Sequence, residues 1–483
     1  MQLTAMLTLA LLQTHTAAPT PFQAWEKVLA PGLLYRMEWN PSTPLIVNAL
    51  RVSLRSKAIH IYPQLAGGTV FEANPDKGRD TISHMVQADA AVAGINGDFF
   101  PFTGDPLGLM VREGELLSAP FQSRQDTAAR RAALGWGESF SALGLSEMAL
   151  SIVPDTGGSI AAEGLNEDGG PDRITVDFPA VGLAVAKAPN SFVILSVPDA
   201  KLAPEADVTG TIQAVGADLV SRPVEPGTVL LLATGKAASK FIGMQVGQTV
   251  HVREQVAGFD FKRVQNVIGG GPILLSDGQV VVDYVEERFK KEFAEGRHPR
   301  TAIGRTKSGD LWLVAIDGRS LMSVGASLAE VAEIMKRLGC VDAINLDGGG
   351  STTFDLFGMT INRPSDGIER PVANGVLIKG RLPEPTKDAL SLSRLPAGAR
   401  PNGVNHLSVS LGGPESKHRV ANTEVIWICT GAAWIDQGGN LHVRGAGTAH
   451  VVALVRGVSL AGDYKVSGAE KPADEPKPGG RDD

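Results

Sequence analysis

Cysteine is almost missing from the 483 residues: only Cys340 and Cys429 occur, too few for a disulfide framework or a Cys-ligated zinc site. The two fall in segments assigned below to different domains, so a structural bridge between them is not expected. No Lys/Arg-dense stripe is present and the formal net charge is −7, which removes the electrostatic footprint of a nucleic-acid binder. Past the first residues there is no apolar run of the ~20 residues that a membrane-spanning helix requires. The patterns G-x-x-x-x-G-K-[ST], H-E-x-x-H and G-x-S-x-G are missing as well, so NTPase, zincin and α/β-hydrolase chemistries lose their main supports.

What the chain does contain is turn formers and short apolar stretches. Gly (56) and Pro (30) accompany 43% hydrophobic and 20% charged residues, the balance of a folded, β-rich protein. The length exceeds what one core usually supports, and two or more domains are expected. The apolar stretch Met6 to Leu12, followed by small and polar residues to Ala17-Ala18-Pro19, fits a secretory signal peptide over 1–18, although its start carries no Lys or Arg. A large domain then occupies 19–380, and the Pro-interrupted stretch 381–402 reads as a linker. Residues 403–466 hold short strand-like runs at the spacing of a small β-sandwich: Leu407 to Leu411, Thr423 to Cys429, Asn440 to Arg444 and Thr448 to Val455. From 467 to 483 there is nothing apolar to bury, and a disordered tail is expected.

Within the large domain two segments share one layout, a helix leading into a strand that stops at a Gly-rich polar loop. In the second of them Ser327 and Glu330 form a capping box, Leu328, Val331, Met335 and Leu338 recur at helical spacing, and Gly339 ends the helix. The strand Val341 to Leu346 follows and runs into Asp347-Gly348-Gly349-Gly350-Ser351-Thr352-Thr353. In the first, a weaker helix from Thr81 to Gln87 precedes a strand from Ala90 to Ile95 that ends in Asn96-Gly97-Asp98. A third strand, Leu311 to Ile316, ends in Asp317-Gly318-Arg319. If the three share one sheet and one direction, their C-terminal ends meet at a common rim, where open α/β sheets place ligands. From about 170 to 290, β-branched runs such as Phe192 to Val197, Thr228 to Ala233 and Thr249 to Val252 predict an antiparallel meander. The expected fold class is α+β: a mixed sheet with helices packed on it and a β-meander, plus a small C-terminal β-sandwich.

Asp98, Asp317 and Asp347 each sit beside glycine at a strand end. One Asp next to Gly is usually only a turn; three of them at three strand ends of one domain point to a shared site. Arg319 follows Asp317 by two residues, and Arg300 precedes Thr301 in His298-Pro299-Arg300-Thr301. A guanidinium offers a planar fork of donors that matches phosphate or carboxylate oxygens; a buried Arg–Asp pair holding loops together is the alternative. Gly349, Gly350, Ser351 and Thr352 cluster backbone N–H donors and hydroxyls, the parts of an anion-binding nest. A second triple, Gly269-Gly270-Gly271, reads rather as a close structural approach, and His298, a lone His before Pro, as structural.

In their order along the chain, Gly94 to Phe100, Gly269 to Leu275, Pro299 to Gly304, Asp317 to Arg319 and Asn345 to Thr352 resemble the phosphodiester glycosidase family over roughly 45–380. Gly164-Leu165-Asn166 is a weaker match to another of its segments. The resemblance implies an exported hydrolase that cleaves a sugar-1-phosphodiester, GlcNAc-1-phosphodiester-like, at the glycosidic side to release free sugar. Phosphate is already a good leaving group, so neutralising its charge matters more than general-acid help. On that basis Arg300 and Arg319, with the Gly349 to Thr352 loop, are assigned to the phosphate. Asp347 and Asp317 are assigned to the oxocarbenium-like sugar or to activating water, Asn96 and Asp98 to sugar hydroxyls, and Thr301 to substrate binding. No cofactor is required, while these carboxylates would suit calcium or magnesium. Two other outcomes stay open: a phosphodiesterase releasing sugar phosphate, and a non-catalytic module that binds envelope polysaccharide. The C-terminal runs, Gly439 to Ala449 in particular, resemble bacterial Ig-like modules, which implies contact with cell-envelope glycan and a secreted, periplasmic or surface location.

Overall fold

The computed structural model describes residues 22–466 except 72–77, 102, 122–129, 188, 382–384, 396–397, 400–404, 414–415 and 456. The expected signal peptide at 1–18 and the tail at 467–483 lie outside the described residues, as does part of the 381–402 stretch. Strands take up 48% of the structure and helices 10%, which overturns the α+β expectation of helices packed on a mixed sheet. The reason is helix length. The α-helices among the described residues are α1, Ile82–Ala88, α2, Lys291–Glu295, and α3, Leu328–Arg337, all too short to form a covering layer without tertiary support. Both capping groups of α3 are realised, Ser327 and Glu330 each bonding the other's backbone, a device that contributes about 1 kcal/mol. Its buried side chains Leu328, Val331, Ala332 and Met335 pack with Leu274 and Ala343, and elsewhere sheets cover sheets.

An eight-stranded sheet carries the strands in the order Gln23–Ala30, Leu33–Asn40, Leu45–Val52, Leu311–Ile316, Arg300–Thr306, Cys340–Asn345, Ile273–Ser276 and Gln279–Val280. Leu311–Ile316 and Cys340–Asn345 both run antiparallel to Arg300–Thr306 between them, so the two share a direction without being neighbours. Ala93–Asn96 belongs instead to a five-stranded sheet with Phe354–Leu356 and Asn374–Gly380 beside it, which corrects the expectation of one common sheet. In Leu33–Asn40 the alternation dictated by the pleat buries Leu33, Tyr35 and Met37 and leaves Leu34 and Arg36 partly open. These inward residues meet Ile95, Phe354 and Val376 of the five-stranded sheet in one core.

The expected meander forms a second eight-stranded sheet, between Glu147 and Ala257, antiparallel apart from the parallel pair Gly164–Leu165 and Ile174–Asp177. It has its own core, built on β-branched and leucine side chains such as Ile152, Val193, Leu231 and Val252.

The C-terminal module starts earlier than the strand runs suggested: Leu390–Leu392, inside the stretch read as a linker, pairs with Val409–Leu411. Val425–Gly431, Gly447–Val455 and Val458–Val466 form its three-stranded sheet and Ala433–Ile435 pairs with Leu441–Val443, around a core that includes Leu407, Trp427 and Val451. The module docks on the first sheet. Trp39 meets Trp434 at 5.1 Å and His442 at 4.7 Å between ring centroids. The buried Lys27 ammonium donates to the carbonyls of Asn422 at 2.6 Å, Gln437 at 2.8 Å and Val425. Cys340 and Cys429 are both free thiols. No helix among the described residues is long and apolar enough to cross a membrane.

Candidate active site

Arg300, Asp317 and Asp347 come to one edge of the first sheet, because the strand that begins at Arg300 lies between the two that end at Ile316 and Asn345. Two strand spacings set those ends about 10 Å apart. The third strand end arrives from the other sheet. Asn96 Nδ2 donates to the Asp347 carbonyl at 2.7 Å, and the Asp347 N–H donates to Gly97 O at 3.0 Å. Asn96 Oδ1 accepts from Thr301 Oγ1 at 2.7 Å and from Thr353 N at 3.0 Å. Asn96 and Thr301, expected to touch substrate, are each 0% exposed and clip the two sheets together.

The three carboxyls are perturbed alike. Burial pushes Asp98 up to about 6, against the Phe99 amide and the Arg131 guanidinium. Its Oδ1 accepts from Phe99 N at 2.7 Å, its own N–H donates to Asn374 Oδ1 at 2.8 Å, and Oδ2 packs against Gly108 and Gly269. Burial also pushes Asp317 up to about 6, against the Arg363 amide, which donates at 3.1 Å, and the Arg444 guanidinium. Asp347 keeps part of its residue surface open, yet its carboxyl lies deep enough that burial pushes it up to about 6, against the Ser351 hydroxyl and the Gly348 amide, with Arg370 beyond them. Asp98 Oδ2, Asn345 Oδ1, Thr352 Oγ1, Thr353 Oγ1 and Arg300 Nη1 are buried with no hydrogen-bond partner. Such atoms are few in folded proteins, and together with three perturbed acids they make this edge the candidate site.

The cations divide into a brace and a mouth. Arg300, 1% exposed, donates through Nε to Ala326 O at 2.9 Å and through Nη2 to Phe293 O at 2.5 Å and Gly296 O at 2.8 Å. These bonds anchor the end of α2 and occupy most of the fork assigned to phosphate. Arg319 is exposed and holds a positive φ of 54°, a conformation that costs a non-glycine residue about 1–3 kcal/mol and that clusters at functional sites. Its Nη1 donates to Ser365 Oγ at 3.3 Å, and Nη2 lies beside Gly349. Arg370, exposed and paired with Asp366 at 2.5 Å, was not singled out in the sequence: a pair four residues apart in a polar segment looks like ordinary surface. A Cβ at position 350 would come within 2.1 Å of Arg370 Nη2 and 2.2 Å of Asp366 Oδ2, so a side chain there would have to push that exposed pair aside.

The loop amides are less free than a nest would need. Gly349 N donates to Pro299 O, Ser351 N to Gly348 O and Thr352 N to Gly349 O, and Ser351 and Thr352 are buried. The exposed guanidiniums at the loop are therefore Arg319, beside Gly349, and Arg370, which Asp366 pairs through Nε and Nη2. Gly271 N bonds Asn345 O at 2.7 Å, so the second glycine triple seats the strand beside the site. Asn166 ties the meander to the strand Glu115–Ser118, donating to Leu117 O and accepting from Phe178 N. Among the described residues no group of three or more His, Cys, Asp or Glu side chains is arranged to hold a metal ion.

Residues 206–379, a little over a third of the chain, match the family described as phosphodiester glycosidase. The N-acetylglucosamine-1-phosphodiester alpha-N-acetylglucosaminidase of Mus musculus is 39% identical over 103 residues, 21% of this chain and 20% of that protein. An uncharacterized SPbeta prophage-derived protein of Bacillus subtilis is 43% identical over 82 residues, 17% of this chain and 13% of that protein. The matched part thus spans no more than 20% of the length of these relatives. A solved structure of a hypothetical protein from Synechocystis shares the fold, with a TM-score of 0.60 and 24% identity over 72% of this chain and 62% of that one. The segment that is similar to the phosphodiester glycosidase family holds Arg300, Asp317, Arg319, Asp347 and Arg370.

Proposed function

We propose that the chain hydrolyses a sugar-1-phosphodiester at the bond between the anomeric carbon and the phosphate oxygen, releasing free sugar and a phosphate monoester. The observation that carries this reading is the placement of Asp347: a carboxyl raised to about 6 on the loop whose glycines face the exposed guanidiniums of Arg319 and Arg370. The oxygen of water bonds to the anomeric carbon, the bond to the phosphate oxygen breaks with its electron pair going to phosphate, and the water proton passes to the Asp347 carboxylate. A base of this strength is mostly ionised at pH 7 and matched to the task. Arg319 and Arg370 neutralise the departing monoester, a kind of preorganised charge stabilisation that contributes several kcal/mol. Asp317, deeper at the same rim, supports the positive charge that develops on the sugar.

Turnover of a panel of sugar-1-phosphodiesters in ¹⁸O-labelled water tests this. The label is expected in the sugar. Label in the phosphate makes the protein a phosphodiesterase releasing sugar phosphate, and saccharide binding without any turnover makes it a binding module. Export, resting on residues 1–18, and contact with envelope glycan belong to the same proposal. Supporting the latter is an open concavity of about 940 Å³ on the C-terminal module, lined by Arg394, Asp463, Tyr464 and Lys465 among others.

A further inference from the structure

The meander holds a buried acid that the proposed reaction does not use. In the strand Ile174–Asp177 the pleat sends Ile174 and Val176 into the meander core and Thr175 and Asp177 to the opposite face. Thr175 and Asp177 are each 0% exposed. The Thr175 hydroxyl and both carboxylate oxygens of Asp177 are enclosed without a hydrogen-bond partner. An isolated carboxylate in such surroundings is costly. Burial pushes this carboxyl well above its usual value, and the Glu167 charge adds to the rise. A proton alone leaves the group unsatisfied, because the carboxyl O–H it creates is a donor in need of an acceptor.

An acidic loop covers this face. Thr175 and Asp177 pair with Leu232 and Leu230 across the sheet, so the four side chains point the same way. Gly169 lies over them: a Cβ there would meet Leu232 Cδ2 at 2.8 Å and Thr234 Cγ2 at 3.6 Å. The loop from Asn166 to Asp172 is fastened at both ends. Asn166 N donates to Val176 O at 3.1 Å and its Oδ1 accepts from Phe178 N at 2.8 Å. The Thr234 hydroxyl donates to Gly170 O at 2.5 Å, and Lys236 N donates to Asp172 Oδ1 at 2.7 Å. The Glu167 amide comes toward the Asp177 carboxyl without closing a hydrogen bond. Between 163 and 177 the carboxylates are Glu163, Glu167, Asp168, Asp172 and Asp177, and the sole cation is Arg173, which pairs with Glu167. The field over Asp177 is therefore negative, and what it calls for is a cation.

We infer that Asp177 and Thr175 are ligands of a calcium ion held between the strand Ile174–Asp177 and the loop from Asn166 to Asp172. Calcium accepts hard oxygen ligands, main-chain carbonyls and water included. Among the described residues no set of three acidic side chains is gathered at this point, so the Asp177 carboxylate is the charged ligand and the loop carbonyls complete the shell. A site with so little ligand charge belongs at the weak end of calcium affinity, at about 10⁻⁴–10⁻³ M. The ion fastens the loop to the sheet, apart from the edge that carries Asp98, Asp317 and Asp347, and it does not depend on the hydrolase reading.

Calorimetric titration of the full chain with calcium chloride tests this, beside urea unfolding in calcium and in EDTA. Calcium at about ten times its dissociation constant should raise the folded-to-unfolded ratio about tenfold over EDTA. Asp177→Asn keeps the shape and removes the charged ligand; it is expected to abolish both the binding heat and the calcium response. Thr175→Val should weaken binding about tenfold, the scale of one lost polar contact. In EDTA neither variant should unfold sooner than the parent, because each sheds an unpaired buried group. Asp347→Asn should bind calcium as the parent does, which separates this site from the carboxylates of the sheet edge. A parent chain that takes up no calcium overturns the inference, and so does an Asp177→Asn chain that still responds to it. If Asp177→Asn does not fold, Thr175→Val decides alone, and undiminished calcium binding in that variant overturns the inference.

Discussion

Asn96 Nδ2 donates to the carbonyl oxygen of Asp347 at 2.7 Å across 251 positions of sequence, and this bond joins the two sheets at the site. The same side chain receives Thr301 Oγ1 and Thr353 N. Replacing it with leucine leaves three buried polar groups unpaired, at about 1–3 kcal/mol each. Asn96→Leu should therefore unfold at a much lower denaturant midpoint, with turnover lost alongside the fold.

Asp347→Asn keeps the acceptor for the Gly348 amide but removes the base. The variant is expected to melt close to the parent while kcat falls about 10²- to 10⁴-fold. Steady-state kinetics beside a melting curve decide the matter, and an Asn variant with parental kcat would displace Asp347 from the centre.

Arg319→Ala and Arg370→Ala should each lower kcat/KM by about 10²-fold, the scale of a lost transition-state donor, with partial recovery in the lysine versions. Gly350→Ala should cost less than either, because its methyl only pushes aside the exposed tips of the Arg370–Asp366 pair. Arg300→Met is predicted to behave differently, lowering thermal stability through the carbonyls of Phe293, Gly296 and Ala326 more than it lowers the kcat of the molecules that remain folded.

Asp98 links stability to pH. Burial raises its carboxyl from 3.8 to about 6, so the folded state binds this proton more tightly than the unfolded chain does. The associated stability is fully present below pH 3.8 and is lost as pH rises through about 6. Asp98→Asn escapes that loss. It should be more stable than the parent by about 1–3 kcal/mol at pH 7, the difference vanishing near pH 3.5. Urea unfolding at the two pH values measures it, and equal stability at pH 7 contradicts the assignment.

Local chemistry made some of this legible. The strand Leu311–Ile316 and the capping box of α3 are written in neighbouring residues, and both form as expected. The sheet that Ala93–Asn96 would join is decided by partners near 354 and 374, which no short-range pattern encodes. For the same reason Asn96 looked like a ligand contact: an amide beside Gly-x-Asp fits that role until its remote partners are known. Arg300 was read as a phosphate fork because its donors were visible and the three carbonyls that take them were not. The module's approach to Asp317, whose small cavity Trp427 and Trp434 help to wall, depends on Trp39 meeting Trp434, a pairing of two isolated tryptophans that carries no sequence signature.

The Lys27 ammonium has a practical corollary. Burial lowers it to about 7, and its hydrogen-bond acceptors are carbonyls from the opposite end of the chain. The proline-rich seam near residue 381 therefore invites a cut that the folded protein would resist. A fragment stopped there would strand an amine among apolar neighbours, bare the Trp39 indole and open the chamber behind Asp317, so expression of the front portion by itself should give sticky, poorly folded material and no miniature enzyme.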